Sequence, residues 1–319
     1  MRRTLIAIVG ATATGKTALG EEVACRLGGE VVCADARQVL RELEIGTGKP
    51  TPEERTAQPH RLFELFSLGE QPTAGGWARA AAATCEGCFE HGVAPVLVGG
   101  SGLYLAALQR GLHPEPPKDD GVRAALQAEC TAVGVVAMHE QLRALDAAAA
   151  ERLAPRDRQR VLRALEIVRV GGRPLAWWRT QPRAVLLQAE WQTYELMCDP
   201  LVLSERIAAR TRLMWEQGLL AETQLLVDAG HEPALRQLAA IGYDEALERF
   251  AGRMTPALAE LRMNERTRQL AKRQRTWFRH QMAAIPLGQG SAGAGASAGP
   301  EVGHSVSHIV SAWSRDAGD

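Results

Sequence analysis

Residues Gly10, Ala11, Thr12, Ala13, Thr14, Gly15, Lys16 and Thr17 form an unbroken G-x-x-x-x-G-K-T phosphate-binding loop. Glycine lets backbone N–H groups turn onto phosphate oxygens, and a helix opening at the loop's end adds its positive N-terminus. Lys16 supplies a mobile cation, and the Thr17 hydroxyl is the natural oxygen ligand for Mg2+. The apolar run Thr4 to Val9 before the loop and the helix-forming stretch Ala18 to Leu27 after it provide the strand and helix that such a loop needs.

A second candidate is Asp35, which follows the apolar run Glu30-Val-Val-Cys-Ala34 and so stands at the C-terminal end of an expected strand. A carboxylate there can hold magnesium or take a proton from a substrate. A solvated turn aspartate satisfies the same placement. The turn Gly99-Gly100-Ser101-Gly102 also follows a strand and opens a helix, giving further amides and the Ser101 hydroxyl for phosphate or sugar contacts. A tight strand-to-helix connection uses glycine equally well.

These residues need a scaffold that brings strand ends together. Apolar runs at Leu5 to Val9, Glu30 to Cys33, Val93 to Val98 and Thr193 to Cys198 alternate with helical periods, which predicts an α/β fold. The expected core is a parallel sheet of the P-loop NTPase type, flanked by helices, with its ligand crevice at the strands' C-terminal ends. His113-Pro-Glu-Pro-Pro117 interrupts the pattern, and an Ala/Arg-rich helical stretch without a strand follows to about Arg179. The expected organisation is a discontinuous core (1–117 and 190–285), an all-helical insertion domain (118–189) and a flexible C-terminal tail (286–319). Two long helices are expected around Glu205 to Asp228 and Thr255 to Met282. Gly/Ala/Ser-rich composition marks Leu287 to Gly299 as a linker, with Val306 to Trp313 as a short terminal helix.

The chain has 319 residues and zero formal net charge, which argues against a uniformly basic nucleic-acid coat. Arginine nevertheless concentrates between Arg152 and Arg183 and between Arg253 and Arg279, as on a one-sided polyanion surface or on two solvated helix faces. The apolar segment after Met1-Arg2-Arg3 is too short for a signal peptide and runs straight into the loop, so a cytoplasmic chain without a membrane span is expected. Six scattered cysteines include one C-x-x-C, Cys85 and Cys88, without the second pair that a zinc site needs.

The motifs taken in order resemble one family. They are the loop at 10–17, Asp35-Ala-Arg-Gln38-Val39, Ile45-Gly-Thr-Gly-Lys-Pro50, Pro59-His-Arg-Leu62 and Leu97-Val-Gly-Gly-Ser-Gly-Leu-Tyr104. Further on come Arg163-Ala-Leu-Glu166, Ile241-Gly-Tyr243 and Thr267-Arg-Gln-Leu-Ala-Lys-Arg-Gln-Arg-Thr-Trp277. This series is similar to the tRNA dimethylallyltransferases, or tRNA isopentenyltransferases, over essentially residues 4 to 280. The resemblance implies transfer of the dimethylallyl group of dimethylallyl diphosphate to the exocyclic N6 amine of the adenosine 3′-adjacent to the anticodon. The tRNAs concerned read codons that begin with U, and diphosphate is released.

The resemblance also assigns roles. Asp35 matches the general base, and Lys16, Ser101, Arg210 and magnesium on Thr17 would stabilise the departing diphosphate. Gly10 to Thr17 would line its pocket. The tRNA contacts map to Asp35, Ala36, Arg37, Gln38, Ser101, Arg123, Gln159, Arg160, Val161, Leu162, Arg163, Lys272, Arg273 and Gln274. Trp277 is expected in the core, and His60 and His280 are expected to be structural. The implied partners are a tRNA anticodon stem-loop and dimethylallyl diphosphate, with Mg2+ as cofactor and a monomeric bacterial-type enzyme.

The chain departs from the family at Ala36, where serine is usual, at Leu40, where tyrosine is usual, and at Trp77, where phenylalanine is usual near the isoprenoid pocket. Loss of the serine hydroxyl would remove one hydrogen bond to the nucleotide, on the order of 0.5 to 1.5 kcal/mol. The bulk of Trp77 would reshape the alkyl cavity. Two other readings stay open: a P-loop kinase of a nucleoside or small molecule, and a noncatalytic tRNA-binding relative.

Overall fold

The computed structural model describes residues 3–70, 72–288 and 300–317. Its strands are β1 (Thr4–Gly10), β2 (Glu30–Cys33), β3 (His60–Arg61), β4 (Pro95–Gly99), β5 (Glu190–Met197) and β6 (Ile285–Gly288). They form a six-stranded sheet in the order β3-β2-β4-β1-β5-β6, parallel at every pairing. All of β1 is buried, as expected for an apolar strand with neighbours on both edges and helices over both faces.

The helices are α1 (Lys16–Leu27), α2 (Pro52–Ala57), α3 (Ala74–Glu90), α4 (Gly102–Arg110), α5 (Asp120–Val133), α6 (Val135–Leu145), α7 (Ala147–Glu151) and α8 (Arg158–Gly171). They continue with α9 (Leu175–Thr180), α10 (Pro200–Glu216), α11 (Leu219–Asp228), α12 (Glu232–Leu238), α13 (Tyr243–Phe250), α14 (Pro256–Gln281) and α15 (Pro300–Ala317). The first of the two expected long helices is broken: Gln217 closes α10, and Gly218, at φ 101, starts α11. No helix among the described residues is long and apolar enough to cross a membrane.

Two compact units emerge, Met1–Gln109 with Leu186–Asp319, and Arg110–Val185. The second is all helical apart from a single bridge between Leu112 and Ala184, which ties its two ends together, so the unit both starts and ends earlier than the expected limits of 118 and 189. Its core contains Leu126, Met138, Leu142, Val161 and Leu165.

In the first unit the sheet core is joined by a second cluster, where Leu40 and Leu43 pack with Leu219, Leu235, Tyr243 and Met263. The tail expected over 286–319 is corrected at both ends. Residues 285–288 pair with β5, and α15 buries Val306 and Ile309 in the sheet core. Burial of such side chains contributes roughly 1.5 to 3 kcal/mol each, enough to hold a terminal helix down. Most of the expected linker, 289–299, lies outside the described residues.

One close approach sets the site. Gly99 ends β4 so near the Ala34 carbonyl that any Cβ would overlap it, and Ser101 N–H donates to the same carbonyl at 3.1 Å. The ends of β2 and β4 are thereby locked side by side.

Candidate functional site

The phosphate loop leaves β1 at Gly10 and enters α1 at Lys16. Gly15 has φ 90, and Ala13, although not glycine, has φ 63, a local strain of the kind found at ligand-binding turns. The buried Thr14 hydroxyl donates to the Ala11 carbonyl at 2.9 Å and braces the turn from within. Lys16 Nζ folds back to the same carbonyl at 3.3 Å.

Ala13, Gly15, Lys16, Thr17, Arg206 and Arg210 line a cavity of about 250 Å3. Arg206 and Arg210 stand one turn apart on α10, so they present one face. Arg206 Nη1 donates to the Thr14 carbonyl at 3.4 Å, and Arg210 donates to Thr12 Oγ1 at 3.4 Å and to the Thr47 carbonyl at 3.0 Å. Gly48, at φ 59, makes room for that guanidinium, because a Cβ at this position would collide with it. Burial pushes the Lys16 ammonium down to about 8, against the opposing pull of Asp35, and Arg210 pushes the same way as burial. Burial likewise lowers Arg210, and Asp35 opposes it. A pocket that holds three crowded cations against one nearby carboxylate is built to receive a dianion or trianion.

Asp35 stands two residues beyond the buried end of β2. Its Oδ1 accepts from the N–H groups of Arg37 at 2.9 Å and Gln38 at 3.4 Å, which fixes the carboxylate in an Asx-type turn. Ser101 Oγ accepts from the Ala36 N–H at 2.8 Å, so its hydroxyl proton is left to donate elsewhere. Gln38 turns back to donate to the Thr47 and Gly48 carbonyls at 3.2 and 2.9 Å. The arrangement sets a carboxylate able to take a proton and a cationic pocket at the same end of the sheet, on β2 and β1 with β4 between them.

The lining offers one neutral oxygen side chain, Thr17, and no carboxylate. That donor set fits Mg2+ carried in on phosphate oxygens, since Mg2+ keeps its waters and binds through few protein groups. Among the described residues no cluster of three or more His, Cys, Asp or Glu side chains has metal-ligand geometry. The Cys85 and Cys88 thiols are buried, and burial raises both, Cys88 to about 11.

The expected tRNA-contacting residues divide. Gln159, Arg160, Lys272 and Arg273 are exposed. Arg123 pairs with the buried Glu166 at 3.2 Å, and Arg163 pairs with Glu166 at 2.8 Å and with Glu115. Val161 is fully buried and Leu162 packs against the same helical core, because the period of α8 turns 161, 164, 165 and 168 inward. Val161 is therefore corrected from a contact to scaffold, while Leu162 keeps part of its surface.

Gln274 turns its amide inward. Its Oε1 accepts from the Thr12 N–H at 2.8 Å and its Nε2 donates to the Gly100 carbonyl at 3.1 Å, so it bridges the 10–17 loop and the β4–α4 turn. Trp77 does not open on an alkyl cavity. It has no exposed surface, donates to the Cys33 carbonyl at 2.8 Å and stacks on Tyr104 at 5.0 Å. Leu40 is buried in the second core, away from solvent. Trp277 packs against the sheet core, and the His60 ring is held by the Gln58 carbonyl and Glu21.

Arg206 is the pocket residue that sequence reasoning missed. Its signal was present, one turn before Arg210 on the same helix.

A family model described as IPP transferase matches residues 38–281, and one described as isopentenyl transferase matches residues 3–64. A tRNA dimethylallyltransferase of Syntrophobacter fumaroxidans is 39% identical over 277 residues, covering 86% of this chain and 80% of the relative. One of Rhodospirillum centenum is 40% identical over 284 residues, covering 88% and 90%. The crystal structure of the full-length tRNA isopentenylpyrophosphate transferase from Bacillus halodurans superposes with a TM-score of 0.68 at 31% identity, covering 98% of this chain and 96% of that one. A eukaryotic dimethylallyltransferase acting on tRNA shares the fold, with a TM-score of 0.73 at 24% identity over 89% of this chain and 73% of that one.

Proposed function

The chain belongs to the IPP transferase family, that of the tRNA dimethylallyltransferases, and from that membership we infer the reaction its site performs. It transfers the dimethylallyl group of dimethylallyl diphosphate to an adenosine of tRNA and releases diphosphate. The acceptor in this reading is the N6 amine of the adenosine 3′-adjacent to the anticodon, in tRNAs for codons that begin with U.

The observation that carries the assignment is the pairing of the Asp35 carboxylate with the cationic loop pocket at the same end of the sheet. The N6 lone pair forms a bond to the allylic C1 as the C1–O bond to diphosphate breaks. The electron pair of that bond leaves with diphosphate, and Asp35 takes the N6 proton. Lys16, Arg206, Arg210 and the loop amides meet the charge that accumulates on the leaving group. The Ser101 hydroxyl holds the Asp35–Ala36 turn through Ala36 N–H, and in this reading its own proton donates to substrate.

Thr17 would hold Mg2+ that arrives with the diphosphate, and the ion would neutralise part of the leaving charge. Exposed Gln159 and Arg160 on α8, and Lys272 and Arg273 on α14, are the proposed tRNA contacts. A monomer working in the bacterial cytoplasm, where tRNA is modified, completes the reading.

The test is tRNA-dependent release of pyrophosphate from dimethylallyl diphosphate. Turnover of ATP in place of the prenyl donor would replace this reading with a kinase.

A further inference from the structure

The diphosphate pocket is supported by a partly buried relay that begins on two helices outside it. Glu222, on α11, accepts the N–H of Glu44 at 2.8 Å on Oε1 and the N–H of Ile45 at 2.9 Å on Oε2. Tyr243, on α13, donates its hydroxyl to Glu222 Oε1 at 2.6 Å and accepts the Gly46 N–H at 3.2 Å. Three successive amides at the start of the 3-10 turn Ile45–Thr47 are thus held by one carboxylate and one phenol.

The turn ends at Thr47, whose carbonyl receives Arg210 at 3.0 Å and Gln38 at 3.2 Å. Gly46 lies flat on the Tyr243 ring, where a Cβ would overlap it, so the spacing of Ile45-Gly-Thr-Gly48 serves both ends of the relay. Burial and the neighbouring Glu222 push the Tyr243 phenol far above its ordinary range, which keeps it a donor.

We propose that Glu222 and Tyr243 are positioning residues for the diphosphate, acting through the 44–47 turn to aim Arg210 at the phosphate loop. This rests on the reading of Arg210 as a diphosphate ligand. The geometry leaves Arg210 two anchors, Thr47 O and Thr12 Oγ1, and only the first depends on the relay. Loss of the Tyr243 hydroxyl leaves the Gly46 N–H unpaired and Glu222 short of a donor, so the turn relaxes and carries the Thr47 carbonyl with it.

The experiment is a double-mutant cycle read by calorimetric binding of inorganic pyrophosphate with Mg2+, which needs neither tRNA nor turnover. Tyr243→Phe should weaken pyrophosphate binding roughly three- to tenfold in the wild-type background. In the Arg210→Ala background it should cause no further loss. Glu222→Gln should behave in the same way, and it serves as the probe if Tyr243→Phe does not fold. In turnover, both variants should raise KM for dimethylallyl diphosphate and leave KM for tRNA unchanged.

Equal losses in the two backgrounds, or a folded Tyr243→Phe that binds pyrophosphate as wild type does, would overturn the proposal alone. A wild-type chain that binds no pyrophosphate would overturn the pocket assignment and the relay together.

Discussion

Gln274 holds Thr12: the amide oxygen of this α14 side chain takes the loop N–H at 2.8 Å, while its nitrogen donates to Gly100 at 3.1 Å. One helix therefore carries exposed lysine and arginine at 272 and 273 and, at the next residue, the tie between the phosphate loop and the β4–α4 turn. Gln274→Ala should raise KM for dimethylallyl diphosphate roughly three- to tenfold, the worth of one or two partly buried hydrogen bonds. Steady-state kinetics with each substrate varied in turn checks it, and KM for tRNA should stay near wild type.

Lys272→Ala and Arg273→Ala should do the opposite. Each should weaken tRNA binding across tRNA sequences and reduce the slope of log K against log salt by about 1, leaving pyrophosphate affinity intact. Binding titrations at several salt concentrations measure this. Arg266 on the same helix is a poorer candidate, since it is tied to Asp244 at 2.9 Å and to Glu245 at 2.6 Å.

The Lys16 charge sets a pH dependence. Burial lowers its pKa to about 8, so the free pocket holds the cation below that pH and loses it above. Pyrophosphate affinity should fall as pH rises through 8, with proton uptake on binding near that pH, and Lys16→Arg should flatten the alkaline limb. Calorimetry in buffers of different ionisation enthalpy reads both effects.

The same depression makes Lys16 a cost to the ligand-free fold. Below pH 8 the folded chain holds a charge that the unfolded chain would solvate better, and the difference fades as pH approaches the ordinary lysine value. Lys16→Met should therefore stabilise the free protein by on the order of 1 to 3 kcal/mol at neutral pH while abolishing activity. Urea unfolding at pH 7 and pH 10 tests the sign, with the gain expected to shrink at the higher pH.

Much of this site was legible in the chain because its motifs are local. The loop at 10–17, Asp35 after an apolar strand and Ser101 after another each needed only their neighbours to be read. β3, at His60–Arg61, has two residues and no apolar pattern, and β6 contains a proline, so neither announced itself. The inward turn of Gln274 depends on a partner 262 residues away, and the Glu222–Tyr243 hold on the 44–47 turn spans 178 residues between Glu44 and Glu222. Val161 departs from its expected role for a different reason. It stands in a basic motif, but helical period, not motif membership, decides which side of α8 faces inward.

The most direct test of the account is the nucleoside product. The purified chain is incubated with Mg2+, labelled dimethylallyl diphosphate and tRNA that lacks the modification, and the nuclease digest is analysed by mass spectrometry. Wild type should yield prenylated adenosine, and Asp35→Asn should lose roughly 10²- to 10⁴-fold in rate, the usual worth of a positioned general base, while still binding tRNA and pyrophosphate. No product from a wild-type chain that binds both substrates, or an Asp35→Asn chain as active as wild type, would contradict it.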